Sequence, residues 1–212
     1  MPNNGKRDFD AAALTWDENP VRIALAHAVA EGIRRVVDID CDISALEYGC
    51  GTGLVTLELQ PYVGSIKAAD SSDGMLTVLE QKLAITGIDN VTPIKLDLES
   101  DSPTDERYDL IYSSMTMHHI EDVSGVMHAF HELLKPDGHL CIADLDSEPG
   151  DFHPDNTGVH YYGFSREDMQ ALFASAGFHD TTSDIVYTVV KKNTAGEERR
   201  YPVLLTCAIK QR

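Results

Sequence analysis

The stretch ALEYGCGTGLVTLEL, residues 45–59, joins a short apolar run to a helix-like apolar pattern through a glycine-rich break. The break holds three glycines in five residues, at positions 49, 51 and 53. Glycine loses more conformational entropy on folding than any other residue, so this cluster is costly unless a tight turn or a bound ligand needs a bare backbone. The stretch predicts a β-strand, a turn and a helix, the place where open α/β sheets bind ligands.

Strand-like and helix-like patterns alternate along the chain up to residue 145. The predicted strands cover residues 44–49, 65–70, 91–98, 108–114 and 138–145. The predicted helices cover residues 19–37, 54–62, 74–87 and 122–135. Pro93 favours an edge position for the third strand, and residues 136–138 predict a turn before the fifth. The alternation predicts a doubly wound, mainly parallel α/β sheet.

The pattern changes after the fifth predicted strand. A polar and aromatic segment, residues 146–164, precedes a predicted helix over 165–178. Two β-rich runs follow, residues 179–192 and 199–211, and the loop between them (193–196) predicts a hairpin. A parallel sheet that ends in an antiparallel hairpin is an unusual combination, and it narrows the choice of fold.

The whole chain has the composition of an ordinary globular protein, with 42% hydrophobic and 25% charged residues among 212. It contains no internal repeat, low-complexity tract or linker, so we predict a single domain, residues 1–212. Seventeen basic and 35 acidic residues give a net charge of −18. This charge repels polyanions and argues against nucleic-acid and anionic-membrane partners.

The four cysteines are widely separated and form no C-x-x-C pair, which argues against a zinc knuckle and a disulfide framework. The first residues, MPNNGKRDFD, lack the apolar core of a signal peptide, and no stretch approaches 18 apolar residues. We therefore expect a cytoplasmic protein without a membrane partner.

The glycine spacing, G-x-G-x-G, differs from the dinucleotide pattern and from the phosphate loop, and no lysine follows it. Asp70 ends the second predicted strand, where a carboxylate accepts hydrogen bonds from ribose hydroxyls. Asp97 ends the third, where a carboxylate accepts from an adenine amino group. Either acid alone is as well explained as the polar start of a loop, but both beside the glycine turn favour a nucleoside pocket.

From residue 8 to the C-terminus the chain resembles the class I S-adenosylmethionine-dependent methyltransferases, in particular the small-molecule branch related to ubiquinone- and menaquinone-biosynthesis methyltransferases. The motifs that carry the resemblance are ALEYGCGTG, AADSSDGML, LDLES, YDLIYSSMTMHHI, LLKPDGHLCIADL and GFSREDMQALFASAGF. The resemblance implies a Rossmann-like, seven-stranded, mostly parallel sheet with an antiparallel last strand. It also implies S-adenosyl-L-methionine as cofactor and S-adenosyl-L-homocysteine as product.

The family's cofactor contacts map by position onto this sequence. The residues expected to line the methionyl and ribose parts are Glu47, Gly49, Cys50, Gly51 and Gly53. Asp70 would hold the ribose, with Ser71 and Met75 beside the adenine. The residues expected at the adenine edge are Asp97, Leu98 and, through its backbone carbonyl, Ser113.

The acceptor side is indicated by the segments that cover the family's site. Residues 1–36 would form an N-terminal lid and helix, with Phe9 and Trp16 as walls, although Trp16 suits a plain core position equally well. His118 and His119 follow the fourth strand, and one of them would serve as base or orienting group; as neighbours, at most one is expected to point at the methyl group.

The segment 146–164 is expected to close over the same opening. It would bring His153, His160, Tyr161 and Tyr162 to the acceptor, unless it is a solvent-facing loop with scattered aromatic residues. His128 and His131 share a helix face outside the apolar stripe, so we interpret them as solvated and expect no bound metal.

The leading hypothesis is thus an enzyme that methylates a small molecule. A second is a domain that binds S-adenosylmethionine or S-adenosylhomocysteine without turnover, or that stabilises a partner. A nicotinamide-dependent dehydrogenase is disfavoured by the glycine spacing and Asp97, and a nucleic-acid methyltransferase by the charge and by SSMT in place of an N-P-P-Y-type tetrapeptide. The sequence indicates neither the acceptor, nor the methylated element, nor the oligomeric state.

Overall fold

Seven strands form one sheet in the order β3-β2-β1-β4-β5-β7-β6 in the computed structural model, which describes residues 8–102, 105–193 and 196–211. The strands are β1 (Ser44–Tyr48), β2 (Ser65–Asp70), β3 (Val91–Lys95), β4 (Tyr108–Ser114), β5 (Leu134–Leu145), β6 (Phe178–Lys192) and β7 (Glu198–Lys210). Neighbouring strands from β3 to β5 are parallel, whereas β7 is antiparallel to both β5 and β6. The predicted fold class and the reversed last strand are confirmed.

The described residues contain six α-helices, of which two precede β1 and four lie between successive strands. They are α1 (Phe9–Ala12), α2 (Pro20–Val36), α3 (Leu54–Leu59), α4 (Asp73–Thr86), α5 (Val123–Leu133) and α6 (Arg166–Ser175). Asn19 caps α2 by accepting from the Val21 amide, and Gly87 ends α4 with φ of 70°. The part of the predicted lid formed by residues 1–7, and residues 194–195 of the predicted hairpin loop, lie outside the described residues.

Several predicted boundaries differ from the structure: β3 ends at Lys95 and α6 at Ser175, each three residues earlier than the pattern indicates. Strand β5 begins at Leu134, four residues earlier than the pattern indicates, because residues 136–138 form a bulge in which Asp137 has φ of 62°. The pairing of β4 with β5 continues on both sides of this bulge. Helix α3 ends at Leu59, and Pro61 lies in the 3₁₀ turn that follows.

The helices cover both faces of the sheet and create two apolar layers. One layer packs α2, α3 and α4 against the sheet through residues such as Ile33, Leu59 and Leu79. The other packs α5 and α6 through Phe130 and Phe173. Strands β1 and β4 lie near the middle of the sheet, and their carboxyl ends meet the loops that carry the candidate site.

Candidate active site

A cavity of about 980 Å³ opens at the carboxyl ends of β1, β2 and β4. This size is at the upper end of the range typical of small-molecule sites. The N-terminal segment, the glycine turn and the loops after β4 and β5 all contribute to its walls. The cavity thus lies where the sequence predicts a ligand site.

The three glycines of the turn differ in how much space surrounds them. All three have positive φ, of 74° at Gly49, 55° at Gly51 and 81° at Gly53. A Cβ at Gly49 would lie 2.2 Å from Oγ1 of Thr116, and one at Gly53 would lie 2.4 Å from Cδ1 of Leu79. Only at Gly51 does the Cβ direction have room, so packing within the chain by itself already requires glycine at positions 49 and 53.

Asp70, the last residue of β2, is hydrogen-bonded to the glycine turn. Its Oδ2 accepts from the Gly51 amide at 2.7 Å, and its Oδ1 accepts from the Ser72 amide at 2.9 Å. Burial raises the pKa of Asp70, and these backbone hydrogen bonds oppose the rise. The carboxylate oxygens keep unused acceptor capacity at the cavity wall, which suits ligand hydroxyls.

Glu47 is the most deeply buried acid at the site, with 1% of its surface exposed. Its carboxylate accepts a short hydrogen bond from the Thr56 hydroxyl. Burial raises the pKa of Glu47 to about 8, against an ordinary value of 4.5. A cationic group of a ligand near this carboxyl would favour its ionised form.

Two aspartates fasten the N-terminal segment across the cavity. Asp10 accepts from the Ser72 hydroxyl at 2.5 Å and from the Gly74 amide at 2.8 Å, at the start of α4. Asp17 accepts from the Thr52 hydroxyl at 2.5 Å and forms an ion pair with Lys82. Neither acid was predicted from the sequence, because their partners are distant in the chain.

Aromatic rings on this segment face the loop after β4. The Phe9 ring lies 6.1 Å from Trp16 and 5.2 Å from His119, centroid to centroid, with edge-to-face geometry in both pairs. The Arg22 guanidinium lies 3.7 Å from the Trp16 ring centroid and donates to the Trp16 carbonyl. Trp16 is therefore a wall of the cavity and not a core residue.

Three histidines meet in the wall of the cavity. One ring nitrogen from each of His118, His119 and His153 lies within 4.8 Å of the other two. Both neighbours in the chain, His118 and His119, line the cavity. The short 3₁₀ helix Met117–His119 places the ring centroids of His118 and His119 4.1 Å apart.

Each ring of the adjacent pair is fixed by a hydrogen bond from Nδ1. Nδ1 of His118 lies 2.6 Å from Oδ1 of Asp144, and Nδ1 of His119 lies 2.6 Å from the Gly158 carbonyl. Burial by itself would raise the pKa of Asp144, but attraction and hydrogen bonding to His118 lower it. The His160 amide also donates to the His118 carbonyl, so the loop after β5 braces the pair.

The loop that carries His153 is itself well anchored. The Glu148 carboxylate accepts from the amides of three residues, 150 to 152. The Phe152 ring packs edge-to-face on Tyr201 and contacts the Lys191 ammonium, 3.5 Å from the ring centroid. His153 is thereby held beside the adjacent pair, with its Nε2 at 3.1 Å from Nε2 of His118.

Most residues predicted for the site line the cavity. They are Glu47, Gly49, Cys50, Gly51, Asp70, Ser71, Met75, Asp97, Trp16, His118, His119, His153 and His160. Several other lining residues were not predicted from the sequence: Asp10, Arg22, Ser114, Met115, Thr116, Phe152 and Lys191. Met115 has φ of 56°, unusual for a residue other than glycine, and its backbone strain lies directly beside the cavity.

Five predicted residues do not line the cavity: Gly53, Leu98, Ser113, Tyr161 and Tyr162. The Leu98 amide donates to the Tyr48 hydroxyl at 3.2 Å, and the Ser113 hydroxyl donates to the Tyr48 carbonyl at 2.7 Å. The Tyr161 hydroxyl donates to the Glu121 carbonyl instead, and Tyr162 is 47% exposed.

A family model described as a methyltransferase domain matches residues 21–183. The chain belongs to this methyltransferase family, as the motifs of the sequence predict. No helix among the described residues is long and apolar enough to cross a membrane.

Individual relatives agree with this family. An uncharacterised methyltransferase of Schizosaccharomyces pombe is 33% identical over 149 residues, 63% of this chain and 52% of that protein. The chain spans about half the length of the first curated relatives it matches.

Two solved structures share the fold at low identity. A chain from the complex of the Haloferax volcanii Trm112 methyltransferase activator with a methyltransferase has a TM-score of 0.77, with 98% of this chain and 99% of that chain covered at 16% identity. A Haemonchus contortus phosphoethanolamine N-methyltransferase 2 in complex with S-adenosyl-L-methionine has a TM-score of 0.71, with 98% and 61% covered at 14% identity.

Proposed function

We propose that this protein transfers the methyl group of S-adenosylmethionine to a small-molecule acceptor. The single observation that carries the proposal is one cavity lined by two chemically different groups of residues. The first group is the glycine turn with Asp70 and Asp97, and the second group is the three histidines. A nucleoside donor bound by the first group would present its reactive part to the second.

The residues of the first group fit the donor chemically. Asp70 offers carboxylate oxygens to ribose hydroxyls, and Gly51 leaves space for a close approach of the ligand to the backbone. Glu47, whose raised pKa reflects burial without a cationic partner, would regain its charge beside a positively charged methionyl group.

The acceptor would be small, because the N-terminal segment closes over the cavity through Asp10 and Asp17. Phe9 and Trp16 would exclude water from the reacting groups and press against the acceptor side. The net charge of −18 opposes a polyanionic acceptor such as nucleic acid.

The chain's main task in this reaction is alignment. S-adenosylmethionine, when bound, supplies a methyl group already activated on a sulfonium. Positioning of two reactants contributes roughly 7–11 kcal/mol, whereas a general base contributes about 10²–10⁴-fold in rate. His118 and His119 would serve the acceptor as base or orienting group, and a base is needed only if the acceptor carries a proton at the working pH.

A second candidate function is a binding domain that stabilises a partner. The similarity over nearly the full length to a chain from a Trm112 activator complex favours it, since a methyltransferase of this fold does occur with a protein partner. Turnover distinguishes the two functions, because a domain without catalysis binds S-adenosylhomocysteine but transfers no methyl group.

Calorimetry with S-adenosylhomocysteine tests the proposal first, and transfer of a labelled methyl group into a metabolite extract tests it second. We expect saturable binding at one site per chain and a labelled small molecule that does not precipitate with protein. Folded protein that gives no binding heat would refute the proposal. Binding without any transfer would support the partner-stabilising function.

A further inference from the structure

The histidine cluster formed by His118, His119 and His153 has the composition of a metal site. Three imidazoles converge on one point in the wall of the cavity, and the first of them is 1% exposed. We propose that these three side chains bind one divalent transition-metal ion, of the kind that prefers nitrogen ligands, and that this ion binds the methyl acceptor.

The hydrogen bonds around the cluster determine which ring nitrogens have a lone pair that could bind a metal. The Asp144 carboxylate and the Gly158 carbonyl only accept hydrogen bonds, so Nδ1 of His118 and of His119 must each carry the proton. In a neutral imidazole the Nε2 atom then has the lone pair. Metal-binding histidines characteristically donate their other ring N–H to a carboxylate or backbone carbonyl in this way.

The distances are close to those that a single ion requires. Zinc binds imidazole nitrogen at about 2.0–2.1 Å in tetrahedral geometry, which places two ligand nitrogens about 3.3 Å apart. Nε2 of His118 and Nε2 of His153 lie 3.1 Å apart. The longest separation within the cluster stays within 4.8 Å, so small rotations of the rings would complete the site.

The set of ligands indicates the class of metal and leaves one position open. Imidazole suits zinc, copper, iron and nickel, whereas magnesium and calcium prefer oxygen ligands. Three protein ligands with an open fourth position are typical of catalytic zinc sites. Because the cluster lines the cavity, the open position would face the acceptor and would take an anionic oxygen or sulfur atom.

This ion would decide between the two roles considered for the adjacent histidines. An imidazole that binds a metal through Nε2 cannot accept a proton on the same atom. The histidines would then orient the acceptor through the ion, and the ion would favour the acceptor's deprotonated form. That role in catalysis rests on the proposed methyl transfer, whereas metal binding itself does not.

The test is a zinc titration of the full chain after removal of metals by chelation and dialysis. A competing chromogenic chelator reports affinity, and excess Mg²⁺ occupies carboxylate sites on the acidic surface. We expect one tight zinc ion per chain. His119→Ala and His153→Ala should each lower zinc affinity by at least about 10-fold, since even residues outside the ligand set typically contribute about 10–100-fold.

His160→Ala is the matched control, because His160 lines the same cavity outside the cluster. The His160→Ala variant should keep the zinc affinity of the wild type. In the wild-type protein, Co²⁺ bound in place of zinc should show the visible absorption of a tetrahedral site. Wild-type protein that binds no zinc under these conditions would overturn the inference. So would an equal loss of affinity in His160→Ala and His153→Ala.

S-adenosylhomocysteine titrations on the same preparations separate this inference from the proposed function. A protein that binds S-adenosylhomocysteine but does not bind zinc would contradict the metal site and leave the proposed function standing. A protein that binds zinc but does not bind S-adenosylhomocysteine would contradict the proposed methyl transfer and leave the metal site standing. Urea unfolding of each variant shows whether a lost affinity reflects a lost fold.

Discussion

Asp144 and His118 form a buried pair in which Oδ1 of the carboxylate lies 2.6 Å from Nδ1 of the imidazole. The same carboxylate accepts from the backbone amides of His118 and Leu145. Asp144 thus fixes both the position of the ring and the nitrogen that carries its proton. It is a positioning residue, because it does not line the cavity itself.

Asp144→Asn should lower zinc affinity by about 10–100-fold, because an amide group no longer enforces a proton on Nδ1 of His118. The affinity for S-adenosylhomocysteine should stay unchanged, since Asp144 does not line the cavity. Parallel calorimetric titrations with zinc and with the nucleoside measure the two effects. Equal losses of both affinities would mean that Asp144 only supports the fold.

Asp70→Ala should weaken S-adenosylhomocysteine binding by roughly 1.5–3 kcal/mol, the range for hydrogen bonds to a charged group. The variant also frees the Gly51 amide that Asp70 now binds, so urea unfolding should accompany the calorimetry. Asp73→Ala is the control, because Asp73 is exposed and pairs with Lys95 outside the cavity. An Asp70→Ala protein with wild-type affinity would remove the carboxylate from the proposed ribose contacts.

Asp17→Asn should loosen the N-terminal segment over the cavity, because it removes the charge that Lys82 pairs with and weakens the contact with Thr52. We expect faster dissociation of S-adenosylhomocysteine and faster amide exchange over residues 9–18. Stopped-flow and hydrogen-exchange measurements report the two effects. Glu18→Gln removes the same charge from an exposed neighbour and should leave both rates as they are.

Glu47→Gln should change how stability without ligand depends on pH. Folding raises the pKa of Glu47 from 4.5 to about 8, so between these values the folded state holds a proton that the unfolded state has released. The free energy of unfolding therefore falls as pH rises through this window, by at most roughly 1.4 kcal/mol per pH unit, and levels off above it.

Glutamine cannot ionise and removes this contribution. The stability of Glu47→Gln relative to the wild type should therefore increase with pH from about 5 to about 8. Urea unfolding at a series of pH values measures the difference in the free energy of unfolding between the two proteins. The contributions of other titrating groups cancel in this difference. A constant difference across the window would contradict the raised pKa.

Gly49→Ala should destabilise the protein more than Gly87→Ala does. Both glycines have similar positive φ, 74° and 70°, but a Cβ at Gly49 meets Thr116, whereas nothing lies within 4 Å of one at Gly87. The second variant thus measures the backbone cost alone, about 1 kcal/mol. The excess in Gly49→Ala, from urea unfolding, is the steric cost, and equal effects would refute it.

The alternation of strands and helices was predictable because it depends on local periodicity and on residues that end elements. Pro93 marked the edge strand, and Gly87 marked the end of α4. Asp70 was predictable for a related reason: a parallel strand that ends in an acid presents it at the edge of the sheet where ligands bind. Each of these features depends on neighbours in the sequence.

Only the tertiary structure decided which side chains meet at the site. Residue 153 reaches His118 because the loop after β5 folds back over the loop after β4, and Asp17 reaches Lys82 across the glycine turn. Tyr48 accepts from the Leu98 amide through its hydroxyl and from the Ser113 hydroxyl through its carbonyl, so it joins the ends of three strands. Such contacts join residues that are far apart in the chain, and packing of whole elements sets them, so no local pattern reports them.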